Sequence, residues 1–272
     1  MIQYQRAQLF YYCKENDTTP VESFMEEHKL CHIFSGALQI TYEGKRFLLH
    51  QGDTVFFRRN LLVRASLLPD ENKQPFTCSK IILSEEFIRN FCITNKPVTG
   101  QHTKGKGPSN QFYTAINNEL AIGFFQSLKP YLNPENKISQ ELSLHKTKEL
   151  LMILDHLWPG IEQTLFDFND PGKTDIGLYM KKNYAHNISL EKFAYLTGRS
   201  LTTFKRDFVR TFGIPPHKWI VQRRLNEALH LIQEKGAAPS NVYLEVGFES
   251  LAHFSTAFKK QFGYSPSNAL KQ

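Results

Sequence analysis

Cysteine is scarce and scattered, with Cys13, Cys31, Cys78 and Cys92 standing without any CxxC pair. Such spacing signals neither a zinc knuckle nor a tight disulfide framework, and the four read as ordinary thiols of a reducing compartment. No run approaches the roughly eighteen apolar residues a membrane helix needs. The opening Met-Ile-Gln-Tyr-Gln-Arg also lacks an apolar leader segment. The expected setting is the cytoplasm, with no membrane association. A barrel metal site lacks its pattern too. His28 and His32 share one face of a strand, but the Glu and later His of such a site do not follow, and Arg58, Arg59 and Asn60 come after the Gly52-Asp53 turn. No metal ligand, cofactor or catalytic residue is therefore named.

Acidic residues fall short at one end only. The net charge is +7; from Thr174 onward there are 14 Lys and Arg against 7 Asp and Glu, while the first 173 residues hold 19 of each. All of the basic excess lies in the last 99 residues. Its confinement points to a polyanion partner for that part alone.

That same part contains an internal duplication. Ser200 to Pro216 reads SLTTFKRDFVRTFGIPP, and Ser250 to Pro266 reads SLAHFSTAFKKQFGYSP. Ser, Leu, three Phe, Gly and Pro recur at the same seven of seventeen offsets. Ser suits a helix N-cap, Gly the left-handed residue that ends a helix, and Pro forbids continuation. Between the caps, Phe204, Phe208 and Phe212, like Phe254, Phe258 and Phe262, form a stripe to be buried. Thr202, Thr203, Arg206 and Arg210 lie opposite, with Lys205 and Val209 nearer the edge. The second copy places Ala252, His253, Thr256 and Lys260 there, flanked by Ser255 and Lys259. Each helix has one face to pack and one to meet something polar or negative.

Upstream, the chain from Lys29 to Leu83 alternates with period two between turns at Ser35-Gly36, Glu43-Gly44-Lys45 and Gln51-Gly52-Asp53. Short strands with turns this frequent predict an antiparallel sandwich or barrel. His32, Tyr42 and Phe57 are the candidate inward, pocket-lining side chains. Gly100 to Asn110 reads as an exposed loop, and helices are expected over Phe112 to Leu128 and Ser139 to Leu157. On the second, Leu150, Leu151, Leu154 and Leu157 make an apolar strip, either for the domain's own core or for a homodimer. From Thr174 the chain predicts short helices with tight turns, twice in a helix-turn-helix arrangement, joined by a helix from Pro216 to about Glu234. The fold class expected is α+β with two domains: a β-barrel with trailing helices over 1–165, a linker at 166–173, and an all-α double helix-turn-helix domain over 174–272.

The last hundred residues resemble the DNA-binding domain of the AraC/XylS family of bacterial transcription regulators. The match runs through Leu190, Ala194, Leu196, Ser200, Phe204, Phe208, Phe212-Gly213, Pro216, Arg224-Leu225 and Ala228, then Gly247-Phe248, Ser250, His253-Phe254, Phe258-Lys259, Phe262-Gly263 and Ser265-Pro266. Tyr243 departs from the family's usual small Ala. The resemblance implies base readers at Thr202, Lys205 and Arg206 and at Ala252, His253, Ser255 and Thr256. Periodicity adds Arg210, Lys259 and Lys260, with lysines at the edges meeting phosphates. The Gly52-Asp53 turn is similar to that of cupin barrels. Phe57-Arg58-Arg59, Glu149 to Met152 and Leu201 to Lys205 are similar to the subgroup that activates type III secretion genes. The family implies an activator bound to double-stranded promoter DNA, with RNA polymerase as partner and a small-molecule effector or a regulatory protein as its control. Enzyme readings need other signals. A methyl-acceptor repair protein would carry Pro-Cys-His-Arg, and Leu30-Cys31-His32-Ile33 lacks both flanking residues; a cupin metalloenzyme would carry the histidine and glutamate set missing here.

Overall fold

The computed structural model describes residues 10–15, 21–94, 112–132 and 138–269. It divides the chain into two compact units, Met1–Phe168 and Asn169–Gln272. The loop expected at Gly100 to Asn110 lies outside the described residues.

The first unit contains strands β1 (Phe10–Glu15), β2 (Val21–Met25), β3 (His28–Ser35), β4 (Ala37–Tyr42), β5 (Lys45–His50), β6 (Thr54–Phe57), β7 (Leu61–Leu68), β8 (Phe76–Leu83) and β9 (Phe112–Ala115). They form two antiparallel sheets, β1-β8-β3-β6-β9 and β2-β7-β4-β5. With them come helices α1 (Glu85–Thr94), α2 (Glu119–Leu128), α3 (Gln140–Leu157) and α4 (Glu162–Leu165). Cys31, Ile33, Val55 and Phe57 of the larger sheet pack with Leu38, Ile40, Leu49 and Val63 of the smaller one. The other face of the larger sheet is also covered: Leu30, Phe56, Ile81 and Tyr113 pack with Phe124, Phe125, Leu150 and Leu154 of α2 and α3. A strand buried on both faces gives an alternation that does not tell inside from outside.

That ambiguity decides the fate of the three pocket-lining candidates. Tyr42 and Phe57 join the core between the sheets, where both ring systems meet Phe112, at 5.9 and 6.3 Å. His32 points the other way. Its ring stacks on Phe125 of α2 at 4.6 Å and its Nδ1 lies 2.8 Å from the Thr54 hydroxyl. Among the leucines of α3, Leu150 and Leu154 are each 1% exposed and belong to the unit's own core, with Leu151 packed against it. Leu157 is half-buried. The outward face of α3 instead carries Met152, 60% exposed.

The helix expected over Phe112 to Leu128 is two elements. Phe112–Ala115 is strand β9, paired with β6 in register Phe57↔Phe112. A turn follows, with Asn117 at φ 43°, and Asn118 then caps α2 by accepting from the Leu120 and Ala121 amides at 3.0 and 3.2 Å. Aromatic and β-branched residues beside an unpaired strand edge are drawn into the sheet, and the Asn pair supplies the break. Asp53 fixes that junction from the Gly52-Asp53 turn, accepting from the Asn117 amide at 2.9 Å and the His50 amide at 2.8 Å.

The second unit is helical, with α5 (Ile176–Asn183), α6 (Leu190–Leu196), α7 (Leu201–Phe212), α8 (Pro216–Lys235), α9 (Pro239–Glu245), α10 (Leu251–Phe262) and α11 (Pro266–Ala269). Asp175, Ser189, Ser200 and Ser250 cap α5, α6, α7 and α10. Two cores result. Phe193, Phe204, Phe208 and Ile220 form one; Leu225, Ala228, Phe254 and Phe258 form the other. The helix α8 contributes to both.

Candidate nucleic-acid interface

The two copies of the duplicated stretch fold alike, residue for residue. Ser200 Oγ accepts from the Thr203 amide at 3.3 Å, and Ser250 Oγ from the His253 amide at 3.4 Å. Each helix then runs twelve residues and stops at a left-handed glycine, Gly213 at φ 75° and Gly263 at φ 88°. Phe204, Phe208, Phe254 and Phe258 are wholly buried. The third Phe of each stripe is half-buried; Phe212 lies 4.4 Å from the Trp219 ring of α8, and Phe262 lies 4.6 Å from Phe258.

With the stripes turned inward, the opposite faces are left to solvent. On α7, Thr202, Lys205, Arg206 and Arg210 are exposed, and on α10 so are Ala252, His253, Thr256, Lys259 and Lys260. Ser255 is half-buried. Each helix therefore brings its named side chains onto one surface. Val209 stands with those of α7, 43% exposed, although periodicity places it nearer the edge. An apolar residue three places after Arg206 on a polar face was the available signal.

Arg206 has a neighbour that matters for its charge. Its side chain is 68% exposed, and its Nε lies 3.6 Å from Asp207 Oδ1. The other oxygen of Asp207 accepts from Arg199 Nε at 3.2 Å. That hydrogen bond, with the fields of Arg206, Arg199 and Arg210, holds the Asp207 carboxyl below its ordinary range. An exposed pair this long is weak, so the Arg206 guanidinium can turn outward at little cost, and it can bond a guanine at O6 and N7 together.

Two inward-turned arginines, Arg224 buried and Arg199 half-buried, organise the scaffold behind this surface. Arg224 of α8, 8% exposed, donates to the carbonyls of Tyr184, His186 and Gly247 at 2.9, 2.9 and 2.6 Å. Arg199, in the turn between α6 and α7, donates to the carbonyls of Thr174 and Thr197 at 2.9 and 2.6 Å. The second arrangement ties the incoming chain to the first helix-turn-helix. Tyr195 Oη donates to Asp170 at 3.1 Å, and a Cβ on Gly198 would stand 2.6 Å from the Gly172 carbonyl carbon. The stretch from Asp170 to Lys173, which the sequence assigns to the end of the 166–173 linker, is thus strapped with Thr174 to the second unit. Nothing in the charge pattern separated these inward arginines from the outward ones.

Tyr243, the departure from the family pattern, packs half-buried against the core formed with Leu225 and Phe254. Among the described residues no helix is long and apolar enough to cross a membrane.

Comparison with known proteins gives two family matches in succession. Residues 28–157 match the ExsA N-terminal regulatory domain and residues 193–272 match a helix-turn-helix domain. The thermoregulatory protein LcrF of Yersinia pestis is 36% identical over 259 residues, with 92% of each chain covered. The virulence regulon transcriptional activator VirF of Yersinia enterocolitica is 36% identical over 256 residues, again with 92% of each chain covered. The HTH-type transcriptional regulator ExsA of Pseudomonas aeruginosa is 25% identical over 242 residues, covering 87% of this chain and 84% of that one. Taken with the duplicated helix-turn-helix, these matches mean that the chain belongs to the AraC/XylS family of DNA-binding transcription regulators, with similarity to its type III secretion activators.

Proposed function

We propose that the chain is a sequence-specific transcription activator that inserts α7 and α10 into adjacent major grooves of promoter DNA, under the control of its first unit. The observation that carries this reading is the pairing of two equally capped reading helices through α8. Its 20 residues span about 30 Å at 1.5 Å per residue, close to the ~34 Å between successive major grooves on one face of DNA. Arg206 is the principal base reader, with Thr202 and Lys205 beside it. Arg210, Lys259 and Lys260 meet phosphates, and His253, Ser255 and Thr256 read by single bonds or methyl contact. Activation is the role of the similar VirF, a transcriptional activator; the setting is the cytoplasm, with RNA polymerase as the downstream partner.

Control enters through the unit that matches a regulatory domain. Within it, Phe112 fills the space between the sheets against Tyr42, Phe47 and Phe57. That filling favours a protein docking on the outside over a small effector held inside. The test is genome-wide binding selection with the full chain and with the fragment from Asn169 onward. A common motif of two half-sites about one helical turn apart is expected; a single half-site would overturn the double-reader arrangement. A saturable small ligand that alters DNA affinity would overturn control by a protein.

A further inference from the structure

Val209 is an anomaly on the surface just described. It is 43% exposed between cations, while the matching position of the second repeat carries an exposed lysine, Lys259. At 100° per residue, Val209 lies about 20° around the helix from Thr202 and about 60° from Arg206, and about 4.5 Å beyond Arg206 along the axis. Thr202, Arg206 and Val209 therefore make one outward row, with an arginine at its centre and branched methyl groups on both sides. Isolated exposed apolar side chains are ordinary. This one is distinguished by its row, which is the surface that faces DNA in the reading above.

In the major groove the only apolar feature of any base pair is the C5-methyl of thymine. We infer that Val209 is a specificity-determining residue whose γ-methyls pack on a thymine methyl, one or two base pairs beyond the guanine read by Arg206. The displacement follows from the ~3.4 Å rise of each base pair. On this assignment α7 reads a guanine and a thymine in fixed relation. The second repeat, with Lys259 in the same place, spends that position on a phosphate and discriminates less.

The inference rests on the proposed docking of α7, and its test separates the two. A duplex recovered by selection with the full chain is rebuilt with deoxyuridine in place of each thymine in turn, which deletes the methyl and leaves the pairing edge. The binding of wild type, Val209→Ala, Val209→Lys and Arg206→Ala is then measured. Wild type is expected to lose about fourfold at one or two positions, the value of burying roughly one methyl group. Val209→Ala should bind those substituted sites and the original equally. Val209→Lys should also ignore the methyl while steepening the salt dependence. If deoxyuridine weakens neither wild type nor variant, or weakens both alike, the thymine assignment fails while a loss of sequence preference in Arg206→Ala leaves the docking intact. If Arg206→Ala keeps its preference at every position of the site, the docking itself is wrong and the thymine assignment goes with it. Unchanged circular dichroism and melting verify that each surface variant is folded.

Discussion

The guanidinium of Arg224, on the helix that joins the two repeats, donates to the carbonyl of Gly247 in the turn of the second repeat at 2.6 Å. Its remaining donors reach Tyr184 and His186, in the stretch between α5 and α6 that precedes the first. A single buried cation thus satisfies backbone from both halves of the DNA-reading unit. Hydrogen bonds from a charged group are the stronger kind, and removing one partner leaves the others buried and unmet.

Arg224→Ala should therefore destabilise the second unit by about 2–4 kcal/mol, with Arg224→Lys intermediate because the three donors of an ammonium leave a single nitrogen, whereas the three carbonyls are met by three separate nitrogens of the guanidinium. Urea denaturation followed by tryptophan fluorescence is the measurement, since Trp219 lies in this unit on α8. Gly247→Ala should cost at least as much as Gly213→Ala: a Cβ at 247 would sit 2.1 Å from the Ala185 carbonyl oxygen, whereas one at 213 meets nothing within 4 Å.

The strap from Asp170 to Thr174 makes the boundary of a folded fragment testable. A fragment begun at Thr174 loses the Asp170 partner of Tyr195 and the Gly172 backbone that covers Gly198. It should melt roughly 5 °C below one begun at Asn169, for about 1 kcal/mol lost in a unit of this size. Equal melting temperatures would show the strap to be energetically idle.

Arg206→Ala and Lys260→Ala should fail in different ways. Removing a bidentate base reader costs about 1–3 kcal/mol and relaxes preference at one position. Loss of a phosphate contact weakens all sequences alike and lowers the salt slope by about one. Titration of selected and scrambled duplexes across a salt series distinguishes the two behaviours.

Acid should loosen the first unit before it reaches any carboxylate. Burial pushes the His28 imidazole down to about 3, helped by Arg59 and Arg58, and the His32 imidazole down to about 4, helped by Lys129. His28 is held neutral by accepting the Arg59 amide at Nδ1. Above pH ~6.5 neither state binds the proton; below it the unfolded chain does and the folded one does not, so stability falls as pH falls until the folded values are reached. Each histidine contributes a slope of about 1 kcal/mol per pH unit in that window. Comparing urea midpoints at pH 7.5 and 5.5 reads the loss, and His32→Gln should halve it.

How much was legible in the sequence follows from what each signal measures. The caps at Ser200, Ser250, Gly213 and Gly263 are local chemistry, and all four stand where their residue types demanded. The Phe stripes were equally plain, because a four-residue step on a capped helix leaves one reading. His32 was not, because β3 is buried on both faces and alternation carries no sign. Phe112–Ala115 passed for helix since its pairing with β6 is a long-range event with no local mark. Arg199 and Arg224 were indistinguishable by charge from Arg206 and Arg210, yet one pair is turned inward and the other outward.

None of the seven residues that the two repeats share is among the side chains set opposite the Phe stripes, although Leu251 is itself exposed. Six are caps, stripe or the helix-starting proline, and the seventh is the leucine just after the serine cap. What descended twice from one ancestral unit is thus the means of folding, while the touching surface has been rewritten in each copy. On the proposed docking, a regulator built this way acquires a new operator by changing Thr202, Arg206 or Thr256 without asking its core to fold again, and its two halves can drift toward different words of the same sentence.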